Sequence, residues 1–305
     1  MQLLLPFDAH NHIHLGPTPT IQALGFDTPN HQLSGCAVMS TRPDDYQPVL
    51  QLCREISETH PDTTMIPCVG VHPWFVHVLT AEDWEVIPNT NTNTNTNTND
   101  DNQQQQQHLY PRWIQELETV LDQHPTIPVG EIGLDKFHFD FDTKELVCDM
   151  DTQQQAFEWQ LELATNLQRP VSVHCVQAMG PLMTSIGNIK KRLQKLPPAI
   201  YFHAFGGKSA TVDQLAALCR CKSSKTKVYF GFAPVVNFKS PKTADVIRRV
   251  GVDRIVLETD HEDAAHVPAA MQQGVAFLAE TLDVSCSELV ARANANAMAL
   301  YGIVP

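Results

Sequence analysis

Short apolar runs rich in β-branched residues alternate with longer amphipathic stretches along most of the chain. The runs predict strands over 3–8, 35–40, 65–72, 127–133, 170–174, 199–203, 227–234 and 254–260. The amphipathic stretches predict helices over 44–60, 109–124, 150–168, 178–195, 208–220, 241–250, 267–282 and 285–301. Several helix ends are marked by proline just before the next strand, as in Gln123-His124-Pro125 and Arg169-Pro170. Proline stops a helix but tolerates a strand start. Strands that alternate with helices imply parallel pairing through right-handed crossovers. Eight such units predict a closed (β/α)₈ TIM barrel, with residues 1–305 as a single domain. The alternative is an open doubly wound sheet, but no GxGxxG or phosphate-loop motif supports it.

One segment breaks the pattern. Residues 89–107 are Asn-Thr repeats, an acidic pair and a glutamine run without apolar periodicity. Such a tract cannot bury enough surface to offset its ordering entropy, so the expectation is a disordered low-complexity insertion. Elsewhere the chain is apolar enough for a substantial core, with 43% hydrophobic residues among 305. Its net charge of −13 excludes a protein that coats DNA or an anionic membrane through a broad basic face. It does not exclude a nucleic-acid enzyme whose bound cations supply the local positive field. No run approaches the ~18 apolar residues of a membrane span, and the N-terminus lacks a basic leader. The expected location is therefore intracellular, cytoplasmic or nuclear. Eight scattered cysteines form no CxxC pair and read as buried thiols.

Polar residues gather at the C-terminal ends of the apolar runs, where barrel enzymes keep their active sites. The first run ends Asp8-Ala9-His10-Asn11-His12, and two histidines two apart on an extended backbone share a face. The fourth gives Gly130-Glu131-Ile132-Gly133, the fifth ends at His174, the sixth at His203, and the eighth at Glu258-Thr259-Asp260. His10, His12, Glu131, His174, His203 and Asp260 thus supply four imidazoles and two carboxylates from separate strand ends. Nitrogen with carboxylate suits zinc, manganese, iron or cobalt better than an all-oxygen magnesium cage. Six ligands exceed the need of one tetrahedral ion with an open position and fit two ions bridged by one carboxylate.

These motifs, taken in order, resemble the TatD-related metal-dependent deoxyribonucleases within the amidohydrolase-like barrels. The carriers are Asp8–His12, Gly70-Val71-His72-Pro73, Gly130–Asp135, Val173-His174-Cys175, Phe202–Gly207, Glu258–Asp260 and the tail Asn294–Gly302. The resemblance covers nearly the whole chain outside 89–107. It implies that His10, His12 and Asp260 hold a first cation, that Glu131 bridges, and that His174 and His203 complete a second. Both would be divalent cations, zinc, manganese or magnesium. Asp260 would also take a proton from the attacking water, with Glu131 beside it in catalysis. His72 would contact substrate at the rim, and DNA would be the substrate. Asp8 and Glu258 are assigned to a supporting layer that orients the imidazoles. Asp135 is either a member of that layer or a helix N-cap.

The chain departs from the family pattern in its recognition loops. An arginine usually follows the strand-five histidine, and here the stretch is His174-Cys175-Val176-Gln177. The final aspartate is followed by His261-Glu262-Asp263, and the strand-six stretch reads His203-Ala204-Phe205-Gly206-Gly207. Two other readings stand beside the nuclease. One is a hydrolase of the same superfamily acting on an amide, lactone or ester. The other is a weakly catalytic barrel that serves a protein partner.

Overall fold

The computed structural model describes residues 4–17, 20–26, 33–86, 110–221 and 225–303. The 89–107 tract lies outside the described residues. Seven parallel strands form: β1 Phe7–Asn11, β2 Gly35–Met39, β3 Thr64–Cys68, β4 Val129–Asp135, β5 Val171–Val176, β6 Ala199–Phe202 and β7 Lys227–Phe230. They pair in the orders β1-β2-β3 and β4-β5-β6-β7. A parallel bridge between Val69 and Val129 joins the two groups.

The eighth strand is a partial correction to the sequence reading. Residues 255–260 do not form a regular ladder, yet they close the ring at single points. Ile255 bridges to Phe230. Ala9 N donates to the Leu257 carbonyl at 2.8 Å, and Asp260 N donates to the His10 carbonyl at 3.0 Å. The barrel therefore closes with seven regular strands and one loosely tied segment.

The eight predicted helices all form: α2 Tyr46–Thr59, α3 Arg112–Gln123, α4 Met150–Asn166, α5 Met179–Leu193, α6 Ser209–Leu218, α8 Thr243–Val250, α9 Val267–Leu282 and α10 Cys286–Tyr301. Two short ones, α1 Thr20–Leu24 and α7 Pro234–Asn237, were not signalled by periodicity, being too short to display it. In α2, Val49, Cys53 and Ile56 fall on one buried stripe, as do Ile114, Leu117 and Leu121 in α3. His60 and His124 end those helices just before proline. Ser285 caps α10 by accepting from Glu288 N.

Apolar residues divide into two layers. Alternate strand residues such as Cys36, Val38, Val171 and Val173 pack with the helices. Phe7, Ala9, Ala37, Met39, Tyr201, Tyr229 and Val256 fill the barrel interior, together with Ala297, Leu300 and Tyr301 of α10. Helix α10 thus covers the N-terminal mouth. Its polar residues bind backbone there: Asn294 accepts from Phe7 N and donates to the Leu5 carbonyl, and Tyr301 Oη donates to the Ala9 carbonyl at 2.6 Å. Among the described residues no helix is long and apolar enough to cross a membrane.

Candidate metal centre

Simple alternation would place Asp8 on the same face as His10 and His12. A bulge prevents this. Asp8 lies opposite Cys36 but Asn11 opposite Val38, so β1 carries one extra residue. The phase flips there. Phe7 and Ala9 point into the barrel below the bulge, and His10 and His12 point into it above. A second bulge in β4, where Val129 faces Val171 but Ile132 faces Val173, keeps both apolar residues in the outer layer. Glu131, between them, enters the barrel. Gly133 follows because a Cβ there would lie 2.0 Å from the His174 carbonyl oxygen.

Glu131 is the centre of the site, only 1% exposed. Its two oxygens face different imidazoles. Oε2 lies 3.3 Å from His10 Nε2 and 3.0 Å from His12 Nε2. Oε1 lies 2.9 Å from His174 Nδ1, 2.5 Å from His203 Nε2 and 3.4 Å from His72 Nε2. Asp260 Oδ1 stands 3.6 Å from His10 Nε2 and 3.9 Å from both His12 Nε2 and His203 Nδ1. All six residues named from strand ends converge, although they come from five separate stretches of chain. His72 joins them: it is 5% exposed and lines the same pocket instead of standing out at a rim.

Among the described residues, three donor-atom sets are close enough to hold an ion: His10, His12 and Asp260; His10, Glu131 and His203; and His72, Glu131 and His174. The arrangement passes a second test. His10 Nε2, Glu131 Oε1 and His203 Nδ1 are buried without a hydrogen-bond partner, despite the short distances around them. Such orphaned atoms are costly unless something else satisfies them. Imidazole nitrogens with carboxylate oxygens form the donor set of zinc-like divalent cations.

The outer ring nitrogens are tied down. His12 Nδ1 donates to the Met39 carbonyl at 3.0 Å, leaving the Nε2 lone pair for the centre. His10 Nδ1 pairs with Ser172 Oγ at 3.0 Å, and His174 Nε2 with Asp135 Oδ2 at 3.0 Å. Asp135 is therefore a partner of His174 and not a helix cap, since α4 begins only at Met150. The orienting role expected of Asp8 and Glu258 is corrected here. Asp8 binds Thr259 N, Thr259 Oγ1, Asn11 and the His10 backbone, and so fixes the chain one step behind the ring. Glu258 binds Tyr201 Oη and accepts from Ala204 N at 2.7 Å. Gly231 leaves room for that pair, since a Cβ there would lie 2.3 Å from Tyr201 Oη.

The electrostatics follow from burial against charge. Burial alone would raise the Glu131 carboxyl, but the charges of His203, His72 and His10 hold it well below the usual range. Burial works against protonated His12 and His174, yet Glu131 lifts His12 to about 9, and Asp135 with Glu131 lifts His174 to about 9. Burial wins at His72, lowering it to about 4. Burial also raises Glu258 to about 8.

The pocket above the centre has a volume of about 170 Å³ and adds Leu15, Thr41, Trp74, Phe75 and Glu262 to the walls. Sequence reasoning did not single these out. Trp74 had a signal, standing two residues after His72, and Ser172 shares a strand face with His174. Lys136, Lys208 and Lys239 are exposed and do not line the pocket. His14 pairs with Asp45 at 3.2 Å.

The model of the TatD-related DNase family matches residues 7–302. The chain belongs to that family. Among its relatives, the Cut9-interacting protein scn1 of Schizosaccharomyces pombe is 25% identical over 343 aligned positions, covering 97% of this chain and 98% of that protein. The 3'-5' ssDNA/RNA exonuclease TatD of Escherichia coli K12 is 27% identical over 199 positions, covering 59% of this chain and 68% of that one. The crystal structure of the TatD homologue YJJV from Escherichia coli K12 superposes with a TM-score of 0.71 at 20% identity, over the whole of both chains. That likeness establishes the TIM-barrel fold.

Proposed function

We propose that this TatD-family barrel hydrolyses phosphodiester bonds of nucleic acid, DNA in the first instance, with two divalent cations held by His10, His12, Glu131, His174, His203 and Asp260. The observation that carries this reading is the split of Glu131, one oxygen toward His10 and His12, the other toward His174 and His203. A bridging carboxylate needs that disposition. Zinc and manganese suit the donor set best. Bound cations would supply the charge that acidifies water and offsets negative charge growing on a phosphoryl oxygen.

The chain's own groups divide the remaining work. Asp260 is the more exposed of the two candidate ligand carboxylates, with its side chain 18% exposed against 2% for Glu131. It takes the proton of the attacking water. Burial and the charge of Glu131 raise its affinity for that proton. His72 acts as a donor. Its Nδ1 accepts from Trp74 N at 3.2 Å, so the neutral ring carries its hydrogen on Nε2, facing the centre. That hydrogen is available to a substrate oxygen. The thiols, all eight unpaired, fit a reducing cytoplasm or nucleus.

A second reading, a barrel serving a protein partner, draws on the name of the scn1 relative and on the absent strand-five arginine. Elemental analysis of protein purified without chelator, beside an assay on single-stranded oligonucleotide, separates the two. Two cations per chain with cleavage are expected. Fewer than two cations and no cleavage would overturn the nuclease reading and favour the partner-serving barrel.

A further inference from the structure

The loop after β4 exposes aromatic surface that folding does not require. Phe137 is 63% exposed, Phe139 41% and Phe141 87%. Exposed aromatic clusters of this kind mark contact sites. The loop is nevertheless built. Phe139 pairs with Leu146 in an antiparallel bridge, Val147 N donates to the His138 carbonyl at 3.0 Å, and Asp140 accepts from Asp142 N and Thr143 N. The rings are thus held outward by an ordered turn.

The loop is continuous with the pocket. His138 lies against Trp74 with ring centroids 4.7 Å apart and planes 31° from parallel. Trp74 lines the pocket, and its Nε1 donates to Asp135 Oδ2 at 2.6 Å, the same oxygen that holds His174. One carboxylate therefore fixes both an imidazole of the metal centre and the first ring outside it. Charge does not provide the grip. The chain carries −13, and among the described residues no lysine or arginine lines the pocket. Lys136 and Lys144, the latter 6.0 Å from the Phe141 ring centroid, are the loop's exposed cations, and the exposed carboxylates Asp140, Asp142 and Glu145 offset them.

Flat exposed rings next to a hydrolytic pocket, with few cations, suit a ligand that offers π-faces. Unpaired nucleobases offer one per residue, whereas bases in a duplex are already stacked. We infer that Phe137, Phe139 and Phe141, continued into the pocket by His138 and Trp74, form a stacking platform for the unpaired bases of a single nucleic-acid strand. The inference rests on the nuclease reading for its choice of occupant, but it can be tested separately.

The test compares binding of a short oligothymidylate with binding of an abasic strand of equal length, followed by Trp fluorescence, in the wild type and in F137A/F139A/F141A. Cleavage of bis(p-nitrophenyl) phosphate is measured in parallel. The wild type should prefer the base-bearing strand by roughly tenfold or more, the scale of one stacked base. In the triple variant that ratio should fall toward one. Equal binding of both strands by the wild type, or an unchanged ratio in the variant, overturns the platform. Preference for bases without cleavage of the small diester keeps the platform and removes the catalytic reading instead.

Discussion

The two mouths of the barrel bury polar groups in opposite ways. At the N-terminal mouth, Asn294, Asn296 and Tyr301 of α10 spend their hydrogen bonds on backbone groups of Leu5, Phe7, Ala9, Val252 and Ile255. At the C-terminal mouth, His10 Nε2, Glu131 Oε1 and His203 Nδ1 are buried with no hydrogen-bond partner. At the same mouth two residues beside the centre take the left-handed backbone that Gln168, Gln194 and Asp283 take at helix ends: Asp260 has φ +59° and Ala204, next to His203, has φ +40°. Satisfied polar groups fix a fold, while unsatisfied ones mark where a ligand completes it. The tail motif and the strand-end motifs both carry the family resemblance, yet they do different jobs.

The sharpest way to break that division is Glu131→Ala. Both donor groups lose their shared carboxylate, so cations and activity should disappear together, with kcat/KM down by at least about 10²–10³-fold. The fold should survive, because the removed carboxylate is tied to no backbone group. Elemental analysis beside circular dichroism checks this, and retention of both cations would end the bridging role. Asp135→Asn comes next. It keeps the side-chain volume but takes the charge from His174 Nε2, 3.0 Å away. Cation affinity should fall about 10–100-fold, read by competition with a chelator. No change in affinity would show that Asp135 serves Trp74 and the Phe137 backbone and not the centre.

At the other mouth the currency is stability. Asn294→Ala and Tyr301→Phe each strand buried backbone groups, costing about 1–3 kcal/mol. At this chain length that lowers Tm by several degrees, at about 2–4 °C per kcal/mol. Activity per folded molecule should hold at temperatures well below the transition. A fall in kcat with intact folding would show that the two mouths are mechanically linked.

The alternation of strands and helices was legible because apolar period and proline placement are local properties. So was the convergence of the six candidate side chains, since each ends an apolar run and all run ends meet at one mouth of a parallel barrel. What escaped depends on pairing across strands. The bulges in β1 and β4 turn Asp8 away from the ligand face and Glu131 into it, and a single strand's pattern does not show the partner register. The irregular eighth strand has the same cause: Ile255-Val256-Leu257 is apolar enough for a ladder, but ladder formation is decided by both neighbours. His72 was placed at the rim by the family resemblance, while its burial comes from Trp74 and Phe75 folding back over it.

The smallest effect should follow deletion of residues 89–107. The tract leaves from the active-site mouth, between β3 and α3, so it could in principle touch substrate. Its flanks argue otherwise. Val86 and Pro111 pair in an antiparallel bridge, and Arg112 N donates to the Glu85 carbonyl at 3.1 Å. The chain therefore departs and returns at a closed point, and neither residue lines the pocket. Deletion shortens the connection between Val86 and Tyr110 from 23 residues to four. Closing a shorter loop costs less entropy, by about 1.5 kcal/mol at most on the logarithmic scaling of loop length. The expected result is an unchanged kcat/KM with a Tm equal to or slightly above that of the full chain. A fall in Tm would mean that the tract packs on the barrel. A fall in kcat/KM alone would assign it to substrate capture, and the active-site mouth would then extend beyond the walls described above.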